Sequence, residues 1–167
     1  LKQIKMDLKN IQSVYFIGIG GIGMSALARY FLFLGKKVAG YDRTETDLTR
    51  TLSAEGMEIH YRDEVSLIPA YCKAGPEKVM VIFTPAIPKN HSEWNWFRTE
   101  GYPLIKRAQA LGEISRQKKT IAIAGTHGKT SITTMTSYLL KETGVGCDAF
   151  LGGISKNYQT NLLLQED

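Results

Sequence analysis

The stretch SVYFIGIGGIGMS, residues 13–25, decides the fold of this chain. Its first half, SVYFIGI over 13–19, is an apolar, β-branched and aromatic run that ends in glycines, which is typical of a buried strand. The residues that follow, 24–34, have the apolar content of a helix. A strand, a glycine-rich turn and a helix in this order predict the first unit of a parallel α/β sheet.

The glycine-rich loop satisfies the pattern G-x-G-x-x-G. Its members are Gly18, Ile19, Gly20, Gly21, Ile22 and Gly23. Glycine permits the tight turn and lets the backbone approach a pyrophosphate, whose charge then meets free amides at the positive end of the helix. The loop therefore predicts a nucleotide diphosphate site, with a purely structural glycine turn as the alternative.

Asp42 follows the second predicted strand, 37–41. Dinucleotide enzymes place an acid about 20 residues beyond the glycine loop, where it binds a ribose hydroxyl. Taken alone, this position indicates an NAD-dependent oxidoreductase. A helix N-cap or turn role before Arg43 and Thr44 is the other interpretation.

The run KVMVIF, 78–83, is the strongest candidate for a strand that is covered on both faces. It ends at Thr84, Pro85 and Ala86, because Pro85 and Pro88 lack the amide that would continue the ladder. The remaining predicted elements are helices over 47–55, 92–100 and 108–116 and strands over 57–60 and 103–105. They complete a doubly wound, Rossmann-like α/β sheet with helices on both faces, assigned to a domain of residues 1–117.

A second phosphate loop begins a second predicted domain, residues 118–167. The run TIAIA, 120–124, is expected to be a buried strand, and a helix is expected over 131–143. Between them lie Gly125, Thr126, His127, Gly128, Lys129, Thr130 and Ser131. In such a loop the lysine supplies a cation for the β- and γ-phosphates of ATP and the threonine supplies a hydroxyl for Mg²⁺. The loop departs from G-x-x-x-x-G-K-[ST], since the position of its first glycine holds Ile123.

Composition excludes several other classes of protein. The net charge is +5, but the basic residues are dispersed, which favours a small phosphorylated ligand over nucleic acid. No apolar run reaches the roughly 20 residues that span a bilayer, and the charged N-terminus lacks an export signal, so a cytoplasmic protein is expected. Cys72 and Cys147 lack metal-ligand spacing and are expected to be free thiols, while His60 and His91 are interpreted as surface or turn residues.

The glycine loop and the later segment AGTHGKTS together resemble the Mur ligase family of peptidoglycan synthesis. The resemblance implies that residues 18–23 hold the diphosphate of a UDP-sugar instead of NAD. It also implies that Thr84, Pro85 and Ala86 line the uridine or sugar site, and that residues 125–131 bind ATP. Lys129 would then be catalytic and Thr130 a ligand of Mg²⁺.

Within that family, VYFIGIGGIGMS and His127 are similar to the member that adds L-alanine to UDP-N-acetylmuramate. A relative that reattaches a recycled peptide shares THGKT and ranks second. The resemblance implies that the chain is the first part of a longer enzyme, is inactive alone, and binds ATP more weakly than the UDP-sugar. Its second part is expected to lie against the first domain, to swap between chains or to fray. A domain that senses nucleotides without chemistry stays open as a third hypothesis.

Overall fold

The computed structural model describes Leu8 and residues 10–165, and its framework is a parallel sheet of five strands. In chain order these are β1 Ser13–Ile17, β2 Lys37–Tyr41, β3 Glu58–His60, β4 Val79–Phe83 and β5 Leu104–Lys106. In space the order is β3-β2-β1-β4-β5, and each neighbouring pair is parallel. The predicted Rossmann-like sheet is confirmed. Most of the charged N-terminal stretch, 1–7, lies outside the described residues.

Helices cover both faces of the sheet because successive side chains of a strand point to opposite sides. Val14 and Phe16 of β1 belong to one core, and Tyr15 and Ile17 belong to the other. The first core is closed by the helices α1 Ile22–Phe33, α2 Asp47–Ala54 and α4 Arg107–Arg116. The second is closed by the helix α3 Ser92–Thr99 and two short 3-10 helices, Val65–Leu67 and Ala70–Lys73.

Local signals in the sequence set the ends of these helices. Thr46 caps α2, since its hydroxyl accepts the Thr49 amide at 3.2 Å while the Thr49 hydroxyl accepts the Thr46 amide at 2.8 Å. Gly35 adopts φ +73 directly after α1, a left-handed conformation that stops the helix without a steric penalty. The chain can then turn straight into β2.

The C-terminal part contains the helix α5 Lys129–Glu142 and an antiparallel hairpin of β6 Ala149–Ser155 and β7 Thr160–Leu163. The helix agrees with the prediction for 131–143, whereas the hairpin was not predicted. The strand predicted over 120–124 is wrong for this structure. These residues have no regular structure, and Ile121 is 67% exposed. A buried strand needs partners on both edges, and the described residues supply none for this segment.

The hairpin lies against α1, so the C-terminal part of the chain contacts the part that forms the parallel sheet. Phe150 packs on Tyr30 with ring centroids 5.3 Å apart, and Leu162 joins the core that α1 forms with the sheet. The sequence left three arrangements open for the C-terminal part, and the structure shows the one in which it packs against the preceding part of the same chain. Among the described helices, none is both long and apolar enough to cross a membrane.

Candidate functional site: two phosphate loops

The glycine-rich loop leaves the carboxyl end of β1, beside the point where the strand order reverses between β1 and β4. Open α/β sheets bind ligands at such a point. The amides of Gly18 and Ile19 both donate to the Tyr41 carbonyl, at 2.8 and 3.1 Å, which fixes the loop to the end of β2. Gly18 has φ +90, and a Cβ there would lie 2.6 Å from the Thr84 methyl group. A glycine is therefore favoured at position 18 both by the left-handed backbone conformation and by the closeness of Thr84.

Asp42 is an anchor of this loop. Its Oδ2 accepts the Gly20 amide at 2.7 Å and its Oδ1 accepts the Thr44 amide at 3.3 Å. The second contact is the turn role considered from the sequence. The structure thus places Asp42 at the predicted site and shows it holding the backbone of the loop.

Arg107 is a residue of this site that sequence reasoning missed. It is the first residue of α4, at the carboxyl end of β5, and its side chain crosses the first turn of α1. A Cβ on Gly23 would lie 3.0 Å from Arg107 Cζ, so only a glycine lets the guanidinium lie there. No sequence motif links Arg107 to the loop, because the sheet brings the two together from distant positions.

Thr84 and Pro85 line a pocket of about 320 Å³ at the carboxyl end of β4, as expected for a ligand-binding edge. Trp94 and Arg98 of α3 form its other wall, with the guanidinium 4.7 Å from the Trp94 ring. Ala86 lies in the same turn but is not part of the lining. Because the Thr84 methyl group lies beside Gly18, this turn is next to the glycine loop.

The second loop opens α5, with Gly128 in the left-handed conformation at φ +78 as its N-cap. Lys129 Nζ donates to the carbonyls of Gly125 and Thr126, at 2.7 and 3.0 Å, so the lysine folds back over the loop. The loop from Gly125 to Lys129 is exposed, and Thr130 and Ser131 begin the first turn of the helix. Within the described residues, the hydroxyl of Thr130 and the ring of His127 make no hydrogen bond.

The hairpin connects the helices that carry the two loops. Thr130 Oγ1 lies 2.9 Å from the position of a Cβ on Gly152 of β6, which leaves space only for a glycine. On β7, the fully buried Asn161 donates from Nδ2 to the Ile22 carbonyl at 2.5 Å and to Ser25 Oγ at 2.8 Å. Its Oδ1 accepts Arg29 Nη1 at 2.7 Å. One small element thus contacts the first turn of both helices that follow the two loops.

A buried polar cluster lies under the other face of the sheet. The Tyr15 hydroxyl is 2.7 Å from Glu93 Oε2 and 2.8 Å from His60 Nε2. Burial raises the pKa of Glu93 from 4.5 to about 7, and burial lowers the pKa of His60. The arrangement therefore favours a neutral Glu93 beside a neutral His60.

His91 is buried, so its interpretation as a surface residue is wrong; it occupies the turn that caps α3. Its Nδ1 lies 3.1 Å from Asp63 Oδ1, and Asp63, His91 and Glu93 could offer ligand atoms within 4.8 Å of one another. The carboxylate of Asp63, however, already accepts the amides of Ser92 and Glu93 at 2.7 and 3.1 Å. The cluster is accounted for as the cap of α3.

The fold and the two loops define a class of protein, an α/β protein whose Rossmann-like sheet carries a glycine-rich loop and is followed by a loop with the sequence of a compact P-loop. A family model described as "Mur ligase family, catalytic domain" matches residues 13–119. The chain belongs to the Mur ligase family.

Similar proteins include two named UDP-N-acetylmuramate--L-alanine ligase. That of Parabacteroides distasonis is 51% identical over 161 residues, and that of Cytophaga hutchinsonii is 54% identical over 160 residues. These matches cover 96% and 95% of this chain but 35% and 34% of the relatives. The chain therefore spans about a third of the length of the curated relatives it matches.

Similar solved structures carry related names. UDP-N-acetylmuramate-alanine ligase MurC of Thermotoga maritima is 31% identical with a TM-score of 0.74, over 90% of this chain and 34% of that one. A murein peptide ligase of Psychrobacter arcticus is 27% identical with a TM-score of 0.69, over 80% of this chain and 27% of that one.

Proposed function

We propose that this chain is part of an ATP-dependent ligase that joins L-alanine to UDP-N-acetylmuramate. The UDP-sugar diphosphate would bind the loop of residues 18–23, and ATP would bind the loop of residues 125–131. The observation that carries the proposal is the presence of two phosphate loops, each at the start of a helix, connected by one hairpin. The names of relatives at 51% and 54% identity support the choice of sugar and amino acid.

The proposed chemistry has two steps. A carboxylate oxygen of the muramoyl group attacks the γ-phosphorus of ATP, which gives an acyl phosphate and ADP. The amine of L-alanine then attacks the acyl carbon, loses a proton and expels phosphate, which gives the amide. Both steps depend mainly on positioning and on neutralising the charge of the phosphoryl group.

Lys129 and Thr130 are the residues of this chain suited to that work. Lys129 would exchange its two carbonyl partners for phosphate oxygens and so offset their charge. The Thr130 hydroxyl has no hydrogen bond within the described residues and fits an oxygen ligand of Mg²⁺. Bound Mg²⁺ would supply further charge neutralisation on the phosphates.

We also propose the division into a UDP-sugar domain, 1–117, and the start of an ATP domain, 118–167. The irregular segment after α4 and the end of the family match at residue 119 support it. Since the relatives are about three times as long, we expect ligand binding without turnover from this chain. We assign the reaction to the cytoplasm, where ATP is available.

A second candidate is the ligase that adds a peptide to UDP-N-acetylmuramate. The likeness to the murein peptide ligase of Psychrobacter arcticus favours it, although at the lower identity of 27%. Both candidates use the same sugar nucleotide, so they differ in the acceptor that attacks the acyl phosphate. A turnover assay of the whole protein with L-alanine and with the peptide would separate them.

Calorimetric titration with UDP-N-acetylmuramate, ATP with Mg²⁺, and NAD tests the proposal. We expect the UDP-sugar to bind and Gly20→Val to abolish that binding, while Lys129→Ala weakens only ATP. A Gly112→Ala variant is the matched control, since nothing lies within 4 Å of the added Cβ. Binding of NAD without binding of the UDP-sugar would make Asp42 a ribose ligand and refute the ligase.

A further inference from the structure

Arg107 carries a charge that no side chain of the described residues compensates. Its guanidinium lies over Gly23 in the first turn of α1, and within Leu8 and residues 10–165 it has no hydrogen bond or ion pair. Several other arginines pair with acids, as Arg29 does with Glu55 and Arg116 does with Glu113. Among the described residues Arg98 also lacks a carboxylate partner, but its guanidinium lies against the Trp94 ring, so what sets Arg107 apart is its position at the glycine loop.

The place where this guanidinium lies is electrostatically unfavourable for a cation. Helix N-termini carry a partial positive charge, and the first turn of α1 contains no acidic residue. Asp42, the acid that holds the glycine loop, directs its oxygens to the amides of Gly20 and Thr44. An arginine and a helix N-terminus held side by side both attract the same kind of partner, which is an anion with several oxygens.

We propose that Arg107 binds the diphosphate of the UDP-sugar directly, at the first turn of α1 beside Gly23; this rests on the proposed function of the loop. The planar guanidinium donates two parallel hydrogen bonds to phosphate oxygens, and the amides of residues 21–23, at the start of α1, donate to others. Gly23 belongs to the same binding site, since a side chain at this position would displace the Arg107 guanidinium. The fork geometry makes lysine an incomplete substitute.

The test compares Arg107→Met, Arg107→Lys and Arg116→Met, with UDP-N-acetylmuramate and UDP as ligands in calorimetry at low and high salt. Arg116→Met is the matched control, since it removes the same charge from the other end of the same helix. Thermal unfolding of each variant verifies that it is folded. We expect Arg107→Met to weaken both ligands at least about tenfold and to reduce the salt dependence of binding. The affinity of Arg107→Lys should lie between those of Arg107→Met and wild type, and the affinity of Arg116→Met should remain within about twofold of wild type.

The inference fails if Arg107→Met binds UDP as tightly as wild type, or if Arg116→Met loses as much affinity. It also fails if the loss in Arg107→Met is equal at both salt concentrations, because a structural defect would act in that way. In each of these cases wild type still binds the UDP-sugar and the proposed function stands. If wild type itself does not bind, the proposed function fails and this inference with it.

Discussion

At the scale of single residues, the glycines of the first loop are fixed by what lies against them. A Cβ on Gly20 would come within 2.8 Å of the Thr49 methyl group and 2.9 Å of Asp42 Oδ2, and both neighbours are held by other contacts, Thr49 by Thr46 and Asp42 by the Thr44 amide. Gly112, in contrast, lies in α4 with nothing within 4 Å of an added Cβ. The same substitution should therefore have opposite effects at these two positions.

We predict that Gly20→Ala lowers the free energy of unfolding by about 1–3 kcal/mol, through overpacking against Thr49 and Asp42. Gly112→Ala should raise it by about 0.5–1 kcal/mol, because alanine is the better helix former. Denaturant unfolding measures both. A Gly20→Ala protein as stable as wild type would show that the loop can move away from Asp42.

The pair of Glu93 and His60 gives stability a pH dependence of predictable sign. The pKa of Glu93 rises to about 7 in the fold, chiefly through burial, so the folded state holds a proton that the unfolded state has released. Glu93 therefore lowers stability as pH rises from about 4.5 to 7. Burial lowers the pKa of His60 and of His91, so these residues lower stability as pH falls below their ordinary pKa of 6.5.

We predict that Glu93→Gln becomes more stable relative to wild type as pH rises from 5 to 8, by up to roughly 3 kcal/mol. The amide can still accept the Glu64 N–H and donate to the Tyr15 hydroxyl, which in turn donates to His60. Urea unfolding across this pH range gives the difference. Glu64→Gln, an exposed acid next in space, should show no such trend, and equal trends in both variants would contradict the prediction.

At the scale of elements, the sheet was predictable and the C-terminal hairpin was not. The strands β1 and β4 are continuous apolar runs that end in glycines or prolines, so composition alone locates them. In β6, Gly152 and Gly153 interrupt the apolar pattern, and β7 is stabilised by Asn161, whose partners lie on α1. For residues 120–124 the sequence predicts a strand that the structure does not have. An apolar run forms a strand only when neighbouring strands are present to pair with it.

The residues of the candidate site also divide into those that the sequence predicts and those that it does not. The two loops are visible as local motifs, because the glycines of the first loop are adjacent in sequence, as are the glycines and the lysine of the second. Arg107 and Asn161 reach the loops only through the fold, from separate elements. No local pattern marks either residue.

Asn161 is the residue through which we expect the hairpin to be anchored. Its substitution by alanine removes three hydrogen bonds and leaves Arg29 without one partner in a buried place, at a cost of about 2–3 kcal/mol. Hydrogen exchange at residues 149–163 should rise selectively, while exchange in β1 and β4 stays slow. Asn157→Ala, in the exposed turn of the hairpin, is the control and should leave the protection unchanged. Equal exchange in both variants would show that apolar packing alone holds the hairpin.

At the scale of the whole molecule, the two loops differ in how completely the described chain supports them. The first loop follows β1, which is fully buried between β2 and β4. The second follows residues 120–124, which are irregular, and several apolar side chains near it are exposed. These are Ile121, Ile132, Met135, Tyr138 and Leu139. In relatives about three times as long, further chain is available to pack there.

This difference predicts that the chain binds UDP-N-acetylmuramate far more tightly than ATP with Mg²⁺. We expect two or three of residues 120–124 to become fixed when ATP binds, at a cost of about 1–2 kcal/mol for each, and Lys129 to give up two hydrogen bonds. No comparable ordering is needed for the first loop, whose backbone is already held by Tyr41 and Asp42. Parallel titrations of this chain and of the full-length ligase of Parabacteroides distasonis measure the effect. Sugar affinity should be similar in the two proteins, while ATP affinity should be at least a hundredfold weaker in this chain, as expected from about 3 kcal/mol of ordering cost. Equal ATP affinities would mean that residues 125–131 form a complete site without the rest of the domain.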